Sequence, residues 1–165
     1  MSMDTTVNVA NQQLQGGADW EIGGKLNFDT VNGSPQLGIN DVILPMSVVF
    51  TIAAGSANQV TVSLQLVDGT GTAIAFPTCF EWWLCDLATG VGLTATTASG
   101  TVATLTNGTD FQNMVAKKAF YSQTTGAGVY KLAITDTGKT GFFVAVQLPL
   151  GNVVVSRQLL TADYG

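Results

Sequence analysis

Val60-Thr61-Val62-Ser63-Leu64-Gln65-Leu66 decides the fold class. Apolar and polar residues alternate without a break. Side chains on a strand have a period of two, so Val60, Val62, Leu64 and Leu66 share one face. Asp68-Gly69-Thr70-Gly71 supplies a turn behind it. The same period recurs on both sides. Residues 47–53 read as a strand, with a Gly55-Ser56-Ala57-Asn58 connection. Phe80-Glu81-Trp82-Trp83-Leu84 sets Phe80, Trp82 and Leu84 against Glu81 and Trp83. Residues 129–135 align Tyr130, Leu132 and Ile134, and residues 142–148 align Phe142, Val144, Val146 and Leu148. Weaker strands are expected at 93–97, 101–106, 119–123 and 153–160, and residues 111–118 are the single segment that admits a helical turn. Many short strands separated by Gly, Asn and Asp turns predict an all-β sandwich or barrel.

Composition agrees. Of 165 residues, 46% are hydrophobic and only 10% charged, against about 25% charged in ordinary soluble domains. Thr, Ser, Asn, Gln and Gly supply the polarity instead, and Thr fits the pleated strand. Net charge is −5 with six basic residues. Nucleic-acid binding draws on neutralising phosphates, so no nucleic-acid partner is expected. Lys117-Lys118 reads as a solvated loop pair. The most apolar stretch, 42–54, is interrupted by Pro45, Ser47 and Thr51 and is too short to cross a bilayer. No membrane role is expected. Met1-Ser2-Met3-Asp4-Thr5-Thr6 has neither a basic nor an apolar signal region, which predicts synthesis and retention in a cytoplasm.

Side-chain catalysis is not expected either. There is no histidine, which removes the commonest general base and the commonest metal ligand. Cys79 and Cys85 sit on one expected strand, roughly 20 Å apart at about 3.3 Å per residue, too far for a disulfide. They are expected to be free thiols in the core. Asp68, Asp110 and Asp136 fall where turn chemistry accounts for them. Gly138-Lys139-Thr140 resembles the end of a phosphate loop, but Ala133 stands where the glycine is needed and a strand follows. No catalytic residue, metal site or cofactor is expected. On a strand, adjacent Trp82 and Trp83 face opposite sides. Trp82 belongs to the core. Trp83 is expected either under another sheet or subunit, or exposed as a stacking platform.

Residues 1–45 differ from the rest. Residues 11–17 are polar and aperiodic. In Asp19-Trp20-Glu21-Ile22-Gly23-Gly24-Lys25-Leu26-Asn27-Phe28, Trp20 and Ile22 point one way, and Leu26 and Phe28 follow after the glycines. This predicts two short strands or one bulged strand. The segment has too few partners to build a core. It reads as an N-terminal arm that packs on the 46–165 sandwich or on another chain.

Asp19-Trp20-Glu21-Ile22-Gly23-Gly24-Lys25-Leu26 resembles the N-terminal motif of tailed-phage head fibre and head decoration proteins. Residues 60–86 look like the Ig-like domains of phage heads, and 128–146 are similar to their F–G hairpin. The resemblance implies an Ig-like or jelly-roll-type antiparallel β-sandwich with an extended N-terminal arm. It implies a structural virion protein, a cement protein on the capsid surface, synthesised in the host cytoplasm. The major capsid protein would be its partner, and a homotrimer its oligomer. Trp20, Ile22, Leu26 and Phe28 would form the capsid or subunit interface. The rival expectation is a carbohydrate- or receptor-binding module of a phage tail or adhesin, with exposed Trp83 and Tyr121 as its platform.

Overall fold

A computed structural model describes residues 46–149 and 152–165 and, ahead of them, the backbone of Asn11–Gln13 and Trp20–Ile22. The chain divides into two units, Met1–Leu37 and Gly38–Gly165. In the first, β1 (Asn11–Gln13) pairs antiparallel with β2 (Trp20–Ile22), Gln12 opposite Glu21. The backbone of Trp20 and Ile22 is thus in a strand, as their alternation predicts. β1, in contrast, falls in the aperiodic stretch. The candidate interface residues Leu26 and Phe28 lie outside the described residues.

The second unit is a β-sandwich. Its strands are β3 (Ser47–Ala54), β4 (Gln59–Val67), β5 (Cys79–Cys85), β6 (Val102–Thr104), β7 (Thr109–Val115), β8 (Ala119–Gln123), β9 (Val129–Thr135), β10 (Phe143–Gln147) and β11 (Val153–Val155). One sheet has the order β3-β4-β9-β6 and the other β11-β10-β5-β8-β7. Every pairing is antiparallel. This four-on-five order is that of an immunoglobulin variable-type sandwich with its tryptophan strand central. The connections differ, because here β6 precedes β7 and β8.

The alternating residues fill the space between the sheets. Val60, Val62, Leu64 and Leu66 of β4 and Tyr130, Leu132 and Ile134 of β9 meet Phe80, Trp82 and Leu84 of β5, Phe120 of β8, and Val144 and Val146 of β10. Trp82 stacks on its cross-strand neighbour Phe120, with centroids 4.2 Å apart, and Phe80 meets Tyr130 edge-on at 5.1 Å. Such contacts stabilise beyond area burial alone.

A polar cluster crosses this core. Trp82 Nε1 donates to Ser122 Oγ (2.9 Å) and reaches Tyr130 Oη (3.1 Å). Ser122 Oγ and Tyr130 Oη both donate to Asp110 Oδ1, and Thr104 N donates to Asp110 Oδ2 (3.2 Å). Tyr130 and Thr104 belong to one sheet; Trp82, Ser122 and Asp110 belong to the other. No buried side-chain polar atom among the described residues lacks a partner. Asp110 therefore does more than the expected turn work: it ties the two sheets together. Gly108, at φ +96°, passes so close to Tyr130 that a Cβ there would collide with the ring. Asp68 and Asp136 do serve connections. Asp68 accepts from Thr70 N and Thr72 N. Asp136 accepts from Ser99 N and Thr140 N, so a carboxylate of the chain itself fills the Gly138-Lys139-Thr140 loop.

Three expectations are corrected. Residues 111–118 contain no helical turn; 109–115 form β7, bulged where Phe111 and Met114 have no opposite number on β8. Residues 93–97 are not a strand. They are a loop pinned by Asp86, which accepts from Thr94 Oγ1 (2.6 Å) and Ala95 N (2.9 Å). The last ladder stops at Val155, because the Ser156 hydroxyl accepts from Val144 N and donates to Arg157 O. A 3-10 turn, Thr161–Asp163, follows. Cys85 is buried and Cys79 half-buried; both are free.

Candidate functional site

The five-stranded sheet turns Phe80, Trp82, Phe120, Val144 and Val146 inward. The alternate residues face out, and register sorts them into rows. One row runs Val155, Ala145, Trp83, Ala119, Val115 across β11, β10, β5, β8 and β7. The next runs Val153, Gln147, Glu81, Tyr121, Gln112 over the same strands. The first row is apolar and the second mostly polar, so the two halves of this face need different surroundings.

The chain itself covers most of the apolar row, leaving Val115 exposed at the β7 edge. The connection from β5 to β6 folds back over it. Trp83 Nε1 donates to Gly90 O (2.9 Å). A Cβ on Gly90, which has φ +75°, would lie 2.9 Å from Val155 and 3.3 Å from Ala145. Only glycine lets this backbone rest on the sheet. Trp83 is consequently half-buried under its own loop. The loop supplies that cover, and the rest of the indole stays at the surface.

The polar half is open. Glu81, Tyr121, Gln147 and Gln112 are all exposed. Tyr121 rests on Phe111, with ring centroids 5.9 Å apart. The bulge at Phe111 brings that ring beside Tyr121. The side chains of Glu81, Gln112 and Gln147 make no hydrogen bond within the described residues. The Tyr121 hydroxyl is held above its ordinary pKa, first by its hydrogen bond with the Cys79 thiol and further by the Glu81 charge. Gln123 Nε2 donates to the same thiol (3.6 Å). A cleft of about 480 Å³ opens at the end of this row, lined by Phe76, Thr78, Glu81, Tyr121, Gln147 and Pro149. Of the two expected surface aromatics, Tyr121 is the more open and Trp83 is half-buried beneath the β5–β6 connection. It also joins to Tyr121 three residues the sequence reading did not single out: Glu81, Gln112 and Gln147. Pairing register, the signal that unites them, is a tertiary property.

A second surface lies at the edge of the same sheet. Phe111, Met114 and Val115 of β7 are exposed, as are Leu87, Val91 and Leu93 on the β5–β6 connection. The two elements are tied together, since Lys118 Nζ donates to Thr94 O (2.8 Å) and Ala95 O (3.0 Å), and Lys117 Nζ to Ala98 O (3.2 Å). The ammonium groups thus serve backbone carbonyls, and the apolar residues dominate the edge.

Among the described residues, no group of three or more His, Cys, Asp or Glu is placed to hold a metal. No helix among them is long and apolar enough to cross a membrane. No protein-family model, curated protein or solved structure matches the chain.

Proposed function

We propose that this chain is a structural protein of a virion, a decoration or cement protein on the outside of a tailed-phage head. The observation that carries the reading is the apolar edge. Phe111, Met114, Val115, Leu87, Val91 and Leu93 are exposed on two tied elements, whereas unpartnered apolar side chains on soluble monomers are usually scattered, and gathered ones mark interaction surfaces. The bulges of β7 disfavour strand addition, so contact there is through side chains. Removing such residues from water contributes about 25 cal/mol per Å². The proposed homotrimer would engage several major capsid subunits at once and gain avidity from weak single contacts. In this reading Trp20, Ile22, Leu26 and Phe28 of the arm add further apolar contacts to the shell or to the trimer. With few charges, attachment would depend little on salt.

Light scattering on the purified protein and co-sedimentation with purified empty capsids test this. The expected result is a trimer that co-sediments, and whose binding survives high salt. Removing residues 1–45 should abolish co-sedimentation and leave the sandwich folded. A strict monomer that ignores capsids would refute the reading.

A further inference from the structure

We propose that the open half of the five-stranded sheet binds a neutral saccharide chain, laid across the strands along Gln147, Glu81, Tyr121 and Gln112. The four residues are in direct register on four adjacent strands. At about 4.8 Å between strands the row is roughly 14 Å long, the scale of a short oligosaccharide. Its chemistry suits sugar rings. Tyr121, backed by Phe111, offers an aromatic face to the C–H side of a pyranose. Glu81 accepts from ring hydroxyls, and the carboxamides of Gln147 and Gln112 both donate and accept. Among the described residues none of these three side chains makes a hydrogen bond, so a ligand that takes them displaces none there. The cleft beside Phe76 and Pro149 adds a concave, partly apolar end, the usual form of a small-ligand site.

Charge chooses among ligands. The row and cleft contain one carboxylate and no cationic side chain. An anionic sugar, a phosphate or a sulfate would be repelled and left without a counter-charge. A neutral chain of hydroxyls is not. The site meets the β7 edge at Phe111 and Gln112, but its test reads sugar binding alone, so it stands or falls independently of capsid attachment.

Saturation-transfer NMR and calorimetry on the full chain would test it. The probes are neutral cello-, malto- and mannooligosaccharides, with an oligogalacturonate as the anionic comparison. Saturable binding of at least one neutral series is expected, and none of the oligogalacturonate. Tyr121→Ala and Glu81→Gln should each weaken binding about tenfold, the effect of losing a stacked ring or a charge-assisted hydrogen bond. Tyr121→Phe, which keeps the ring and serves as a folding control, should bind within about threefold of the parent. Three results would overturn the site: no neutral series saturating at millimolar concentration, equal binding of the anionic chain, or unchanged affinity in both Tyr121→Ala and Glu81→Gln.

Discussion

Replacing Tyr130 with phenylalanine tests the polar cluster between the sheets. The ring stays, with its edge-on contact to Phe80. Only the hydroxyl is lost. That hydroxyl donates to Asp110 Oδ1 and accepts from Trp82 Nε1 and Thr104 Oγ1. Trp82 keeps Ser122 Oγ, and Asp110 keeps Ser122 and Thr104. The net loss is one hydrogen bond to a carboxylate and one partner of a half-buried hydroxyl. Hydrogen bonds to charged groups contribute about 1.5–3 kcal/mol, so Tyr130→Phe should destabilise by about 2 kcal/mol. For a domain of this size that lowers the melting temperature by roughly 8 °C. Urea unfolding at pH 7 measures it directly. Asp110→Ala should cost more, because three donors lose their acceptor. In a double-mutant cycle the two changes should couple by at least about 1 kcal/mol. A Tyr130→Phe effect below about 0.5 kcal/mol, or strict additivity with Asp110→Ala, would refute the idea that this bond joins the sheets.

Acid should loosen the fold in a defined range. Burial pushes the Asp136 carboxyl up, but donors from Ser99 and Thr140 outweigh it and bring its pKa down to about 2. Asp110 is likewise lowered: burial raises it, and hydrogen bonds from Ser122, Thr104 and Tyr130 more than compensate. A carboxyl with a depressed folded pKa contributes stability that is complete above its unfolded value of about 3.9 and fades as pH falls through the folded one. Stability should therefore be flat from pH 7 to about 5 and fall between about 4 and 2, and Asp136→Asn should flatten that limb in chemical denaturation. Gly90→Ala should destabilise by about 1–3 kcal/mol, through a strained positive φ and a clash with Val155, and should red-shift tryptophan emission as Trp83 is uncovered. In the native protein a thiol reagent should label half-buried Cys79 and spare Cys85, which is fully buried and whose pKa burial raises. A reductant should leave the melting temperature unchanged.

The strands that alternate cleanly were legible in the sequence. β4, β5 and β9 set their large apolar side chains on one face, so residue order alone separates inside from outside. β7 was not legible. Phe111, Met114 and Val115 stand at i, i+3 and i+4, the spacing of a helix face. The structure produces that spacing with two bulges in one strand, each of which shifts the alternation by a residue. The fate of Trp83 was also hidden, because its cover comes from a loop whose path depends on Gly90. The row through Glu81 and Tyr121 is invisible in one dimension, since its members lie up to 66 positions apart and meet only through register.

The sheet order also sets a timetable for folding. β3 with β4, β7 with β8, and β10 with β11 are neighbours in sequence and can zip early as local hairpins. The pairings that make a sandwich of them are remote: Val62 meets Leu132, and Trp82 meets Val146, each across more than sixty residues. Such long-range closure is slow, in the millisecond-to-second range. On a ribosome, β4 must wait for β9 and β5 for β10, so a nascent chain leaves these apolar strands incompletely partnered until residue 147 has emerged. Quality control would therefore meet this protein chiefly as an unfinished chain, and a truncation before β10 should be a far stronger chaperone client than any point variant at the surface.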